Sequence, residues 1–122
     1  MNQSLPKSEI LRSKKIIQEL FRKSSSSLYL YPFQIRFQKK STETVDSSFP
    51  HVLFVVSKRH FKKAVDRNLV RRRIKEAYRL NKEPLQSHLF PLSSLAIMYI
   101  AKEPLDFAPI QKKLIKIINM LD

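Results

Sequence analysis

Arg67, Asn68, Arg71, Arg72, Lys75 and Arg79 all lie in the stretch AVDRNLVRRRIKEAYRL, from Ala64 to Leu80. At about 100° per helical residue they fall within one arc of roughly 140°, and Val70, Ile74, Ala77 and Tyr78 fall on the adjoining arc. A solvated helix face ordinarily mixes signs, because Glu–Lys pairs at i,i+4 stabilise a helix and like pairs repel. Here Arg67–Arg71, Arg71–Lys75 and Lys75–Arg79 follow one another with no acid between them on the arc. Arginine presents a planar fork that grips phosphate oxygens in pairs and stacks on bases. The arc therefore reads as a phosphate-binding surface in preference to a merely solubilising one. Asn68 adds an uncharged hydrogen-bonding group suited to a base edge, a ribose hydroxyl or a hydrated metal ion, with a second helix cap as its alternative role. Arg73 and Glu76 sit toward the back of the helix.

Residue types that cut RNA are present but not assembled. A metal-dependent nuclease needs clustered carboxylates, whereas the acids here are scattered and Asp66 and Glu76 stand among arginines. A metal-independent one needs a general acid and base, usually histidines, and no spacing unites His51, His60 and His88. The chain has no cysteine, which removes disulfides, thiolate zinc sites and thiol nucleophiles together. Binding is the chemistry that remains, with no catalytic and no metal-ligating residue singled out.

Charge agrees. The 122 residues carry 24 Lys and Arg against 10 Asp and Glu, a formal net charge of +14. Eleven bases less two acids between Lys58 and Lys82 place +9 of that total in a fifth of the chain. A concentrated positive patch points to nucleic acid first and anionic membrane second. No apolar run is long enough to span a bilayer, and MNQSLPKSEI lacks the apolar core of a signal peptide, so a cytoplasmic location is expected. Glycine is absent, so every turn is built from residues for which left-handed backbone is costly.

The elements that must position the arc follow from periodicity. Ser13 is placed to cap a short helix, KKIIQELFRK, which the run Ser24 to Ser27 ends. LYLYPFQIRFQ alternates, with Tyr29, Tyr31, Phe33, Ile35 and Phe37 on one side and Gln34, Arg36 and Gln38 on the other; Pro32 marks an edge strand or a strand beginning just after it. HVLFVVSK and SLAIMYIAK read as interior strands, and Asp66 as the cap of the basic helix between them, which fades near Asn81. A final helix starting near Pro109 buries Phe107, Ile110, Leu114, Ile117, Ile118 and Leu121. The order α-β-β-α-β-α predicts a single-domain α+β sandwich over residues 1–122, a small mixed sheet packed by helices. Phe21 and the strand aromatics offer stacking surfaces for single-stranded RNA, with core packing as the alternative for each.

VSKR (Val56 to Arg59), AVDRN (Ala64 to Asn68) and RRRIKEAYR (Arg71 to Arg79) together resemble the signature of the bacterial ribonuclease P protein component, and the resemblance extends along the whole chain. It departs at Leu69, where the family usually has arginine, and in the loop 59–63, a residue longer than the common form and without its glycine. The resemblance implies the protein subunit of an endoribonuclease whose RNA, holding magnesium, removes the 5′ leader of precursor tRNA. On that basis the protein assists catalysis without performing it. Its partners are the catalytic RNA and precursor tRNA, with neither a membrane nor an obligate protein partner. The implied RNA-binding residues are Lys58, Arg59, Arg67, Asn68, Arg71, Arg72, Lys75 and Arg79. Phe21, Phe33, Ile35, Arg71 and Lys75 are the implied leader contacts, in a cleft between the basic helix and the sheet. A left-handed β-α-β crossover is implied as well, against the usual hand. Two readings compete. A ribosomal RNA-binding protein would share the composition without the signature. A DNA-binding module would place the basic helix in a major groove, but this helix is bracketed by buried strands. A membrane-surface role fails because the helix's apolar face is needed by its own core.

Overall fold

In the computed structural model, which describes residues 10–12, 14–22, 26–39, 51–82 and 92–120, the aromatic stretch around Pro32 forms two strands. β1 (Ser26–Leu30) and β2 (Phe33–Lys39) make an antiparallel hairpin that turns at Tyr31 and Pro32, where the peptide bond is cis. Proline has no amide proton to give to a ladder, so one continuous strand through it is disfavoured. Before the hairpin comes α1 (Lys14–Leu20); after it come β3 (His51–Val56), α2 (Ala64–Asn81), β4 (Leu92–Tyr99) and α3 (Phe107–Asn119). The four strands lie in the order β1-β2-β4-β3, with β2 and β4 antiparallel and β3 and β4 parallel. The expected α+β class and mixed sheet hold, with the first expected strand resolved into the hairpin.

Alternation sorts the strand residues between two faces. Phe33, Ile35 and Phe37 of β2, Val52, Phe54 and Val56 of β3, and Leu95, Ile97 and Tyr99 of β4 are buried on one face. Val70, Ile74, Ala77 and Tyr78 of α2 and Ile110, Leu114, Ile117 and Ile118 of α3 close over it in the same apolar cluster. On the other face Leu11 and Leu20 pack with Ala96, joined by Ile16, Ile17 and Leu53, so α1 lies there. The pairing registers carry rows across that second face. One row runs Ser27, Arg36, Ala96, Leu53 and is covered by α1 from Arg36 to Leu53; the next runs Tyr29, Gln34, Met98, Val55.

Three local expectations are corrected. The N-cap position of α2 is Lys63, without a side-chain cap bond, so Asp66 is a first-turn residue favoured by the helix dipole and not the cap. Asn68 lies inside the helix, which removes its capping alternative. Across the hairpin the alternation changes side: Tyr29 pairs with Gln34 and shares its face, opposite Phe33 and Ile35. Ser13, Leu121, His88 and the loop before β4 lie outside the described residues. Among those described, no residue has a positive φ, so these turns are made without the left-handed backbone that glycine usually supplies.

Candidate nucleic-acid interface

Burial of Val70, Ile74, Ala77 and Tyr78 fixes the rotation of α2 and turns its other side outward. Asn68, Arg72 and Lys75 are exposed and Arg71 half-buried. These four line an open depression of about 330 Å³. Arg71 Nη1 donates to Asn68 Oδ1 at 3.1 Å, which holds the guanidinium along the helix beside the opening. Three cations and an amide thus stand together on a rigid element, with no acid lining the depression among the described residues, which concentrates positive charge at this surface.

The two ends of the arc behave differently. Arg67 Nη1 donates to the carbonyls of Phe61 at 2.7 Å and Lys62 at 3.0 Å, so it ties the preceding loop to the helix. Arg79 Nε donates to Glu76 Oε2 at 3.1 Å, and the pair forms a salt bridge one turn along the helix. The hydrogen bond from Arg79 holds the Glu76 carboxyl below its ordinary range, and the same bond raises Arg79. Arg79, which the sequence pattern places in an acid-free stack with Lys75, therefore carries a local counter-charge at i−3. Arg73, expected at the back, donates from Nη1 to the Leu105 carbonyl and joins α2 to the turn before α3. Lys82 is only 1% exposed and does not belong to the surface patch. Lys58 and Arg59 are exposed just after β3, where the Arg59 amide donates to Ser57 Oγ at 3.0 Å.

The leader-contact candidates divide. Phe33 and Ile35 are 0% exposed in the main core and cannot touch RNA from there; they are corrected to structural residues. The expected cleft between the basic helix and the sheet is closed by the buried stripe of α2. Nor does Lys75 lie beside the hairpin aromatics. Its Nζ is 6.0 Å from the Phe54 ring centroid, on β3, the edge strand opposite β1. Phe21 is 41% exposed at the end of α1, its ring centroid 5.7 Å from the Arg36 guanidinium carbon. Arg36 Nη1 also donates to the Arg22 carbonyl at 3.3 Å, fastening α1 to β2. The accessible part of the sheet is the row beside α1: exposed Tyr29 and half-buried Gln34, Met98 and Val55. The polar alternation of Gln34, Arg36 and Gln38 was the sequence signal for that face. Met98 and Val55 carried none, because each lies in an unbroken apolar run, Leu95 to Tyr99 and Val52 to Val56.

Among the described residues, no three histidines or acids come together as metal ligands, and no helix is long and apolar enough to cross a membrane.

Comparison with known proteins shows the family and the fold. Residues 5–122 match the family model for ribonuclease P. Over 120 residues the chain is 33% identical to the ribonuclease P protein component of Porphyromonas gingivalis, covering 93% of this chain and 85% of that one. The component from Chlorobium phaeobacteroides is 42% identical over 86 residues, or 67% of this chain and 56% of that one. The fold matches the RNase P protein of Staphylococcus aureus with a TM-score of 0.71 at 19% identity, covering 93% of this chain and 95% of that one. It matches the RNase P protein from Thermotoga maritima with a TM-score of 0.70 at 23% identity, covering 93% of this chain and 97% of that one. With the family model matched over residues 5–122 and its signature running from the end of β3 into α2, this chain belongs to the ribonuclease P protein family.

Proposed function

We propose that the chain binds the catalytic RNA of ribonuclease P and the 5′ leader of precursor tRNA, and so assists removal of the leader by that RNA. The observation that carries the reading is the outward strip of Arg71, Arg72 and Lys75 with Asn68, held on a helix whose opposite side is locked in the core. A rigid cationic track suits the backbone of a folded RNA, which is recognised by shape and phosphate position. Lys58 and Arg59 add two exposed charges in the loop before the helix. The leader, a single strand, needs a stacking surface beside positive charge. The row Tyr29, Gln34, Met98, Val55 supplies that surface, with Phe21 and Arg36 at its α1 side. Magnesium, in this reading, is held mainly by the RNA partner and supplies charge stabilisation at the scissile phosphate. The protein's own residues position RNA and move no proton.

The test follows precursor tRNA cleavage by a bacterial ribonuclease P RNA at low magnesium, with and without the purified chain. The expected result is cleavage stimulated by the protein and none by the protein alone. Unchanged RNA activity at every protein concentration overturns the reading.

A further inference from the structure

β3 and β4 are parallel, so their carboxyl ends emerge at the same edge of the sheet. The loop 57–63 leaves β3 there, and the turn 100–106 leaves β4. Both are pinned. The Phe61 amide donates to the Ser57 carbonyl at 3.1 Å, and Arg67 holds the carbonyls of Phe61 and Lys62. In the turn, the Leu105 amide donates to the Tyr99 hydroxyl at 3.0 Å, that hydroxyl donates to the Glu103 carbonyl, and Arg73 donates to the Leu105 carbonyl. The Phe61 and Tyr99 rings, with centroids 6.0 Å apart, join one loop to the other. Between them lies a depression of about 380 Å³ lined by Arg59, His60 and Lys102. Among the described residues it shares none of its lining with the depression on α2.

Two exposed cations from separate loops face one opening, and no acid lines it among the described residues. Holding like charges together costs energy that a bound anion relieves. His60 Nδ1 is shut away from solvent without a hydrogen-bond partner, so the polar atom its ring has left for a ligand is Nε2. A guanidinium fork, an ammonium and an imidazole together suit the tetrahedral oxygens of a phosphate. We infer that Arg59, His60 and Lys102 form a second phosphate subsite, which takes a backbone phosphate of bound RNA separately from the α2 strip. The inference rests on the RNA-binding reading above. It adds Lys102, which is remote in sequence from the basic stretch, and gives His60 a binding role. The two pinning arginines, Arg67 and Arg73, are positioning residues for it.

The test measures binding of the full chain to a ribonuclease P RNA over a range of salt concentrations. The variants are Arg59→Ala, Lys102→Ala, the charge-conserving Lys102→Arg, Arg71→Ala on the α2 strip, and Lys112→Ala on exposed α3 surface as the control. A lost phosphate contact lowers the slope of log affinity against log salt by about one unit. The expected result is that loss for Arg59→Ala and Lys102→Ala, about two units for the double variant, and recovery in Lys102→Arg. All should unfold at the wild-type temperature, because both side chains are exposed. If Arg71→Ala lowers the slope and Lys102→Ala behaves like Lys112→Ala, the subsite is overturned and the general reading stands. If the wild-type chain binds no RNA, both fall.

Discussion

On a helical wheel Arg67 stands between Ile74 and Tyr78, about 20° from each, whereas Arg71 and Arg72 lie progressively further from the apolar side. That phase explains why Arg67 is spent on the carbonyls of Phe61 and Lys62. Hydrogen bonds from charged donors contribute about 1.5–3 kcal/mol, so Arg67→Ala is expected to lower stability as well as RNA binding. Arg71→Ala and Arg72→Ala are expected to leave the urea midpoint unchanged while each lowers the salt slope of RNA binding by about one unit. A wild-type midpoint in Arg67→Ala would show that its two bonds contribute nothing. The same reasoning separates the phenylalanines. Phe33 is fully buried and stacks edge-on against Tyr99, with ring centroids 6.0 Å apart, so Phe33→Ala should cost about 3–5 kcal/mol of stability. Phe21→Ala, at an exposed ring, should cost far less. Equal melting temperatures for the two variants would contradict the assignment of faces.

Each element was legible where its own residues determine it and misread where a neighbour decides. The period of Val70, Ile74, Ala77 and Tyr78 gave α2 its buried side, and the apolar runs gave β3 and β4, since packing there follows from side-chain type. The hairpin was misread because alternation was carried straight through Pro32, which put Tyr29 on the wrong face. Phe33 and Ile35, leader contacts by the resemblance alone, share a face with Phe37 as the alternation has it, and that face is the core. Pairing of Glu76 with Arg79 was visible at i,i+3 but eclipsed by the i,i+4 pattern. The pins around Tyr99 could not be read at all, since they join residues through a turn that no periodicity describes. Those pins carry their own prediction. Burial of the Tyr99 phenol is the main cause of its being held above its ordinary range near 10.0. The folded chain then binds the phenolic proton more tightly than the unfolded chain. That stability is complete below the ordinary value and declines as pH rises through the raised one. Tyr99→Phe removes the hydroxyl bonds to Glu103 and Leu105, so it should be less stable than wild type at pH 8. The difference should narrow above about pH 10, followed by urea unfolding. A difference constant across that range would sink the argument.

Across the whole molecule, the sheet separates the two surfaces proposed to bind RNA. α2 and α3 cover one face, and their buried stripes leave the cationic strip of α2 on the outside near the β3 edge. α1 covers part of the other face and leaves the Tyr29 row open toward the β1 edge. A catalytic RNA held by the strip and a leader laid on the row would therefore touch different residues through a common rigid core. Holoenzyme assembled from each variant, with precursor and mature tRNA compared, tests this division. The leader exists only in the precursor, so losing a leader contact weakens precursor binding alone. Base stacking on an aromatic ring contributes about 1–3 kcal/mol. Tyr29→Ala and Phe21→Ala are each expected to shrink the precursor's advantage by roughly fivefold or more, with mature tRNA binding unchanged. Arg72→Ala should instead raise the protein concentration needed to assemble the holoenzyme and, once assembly is saturated, leave the ratio of precursor to mature affinity as it was. Equal losses for both tRNAs in the Tyr29 and Phe21 variants would remove the leader from this face and leave the α2 strip as the chain's RNA surface.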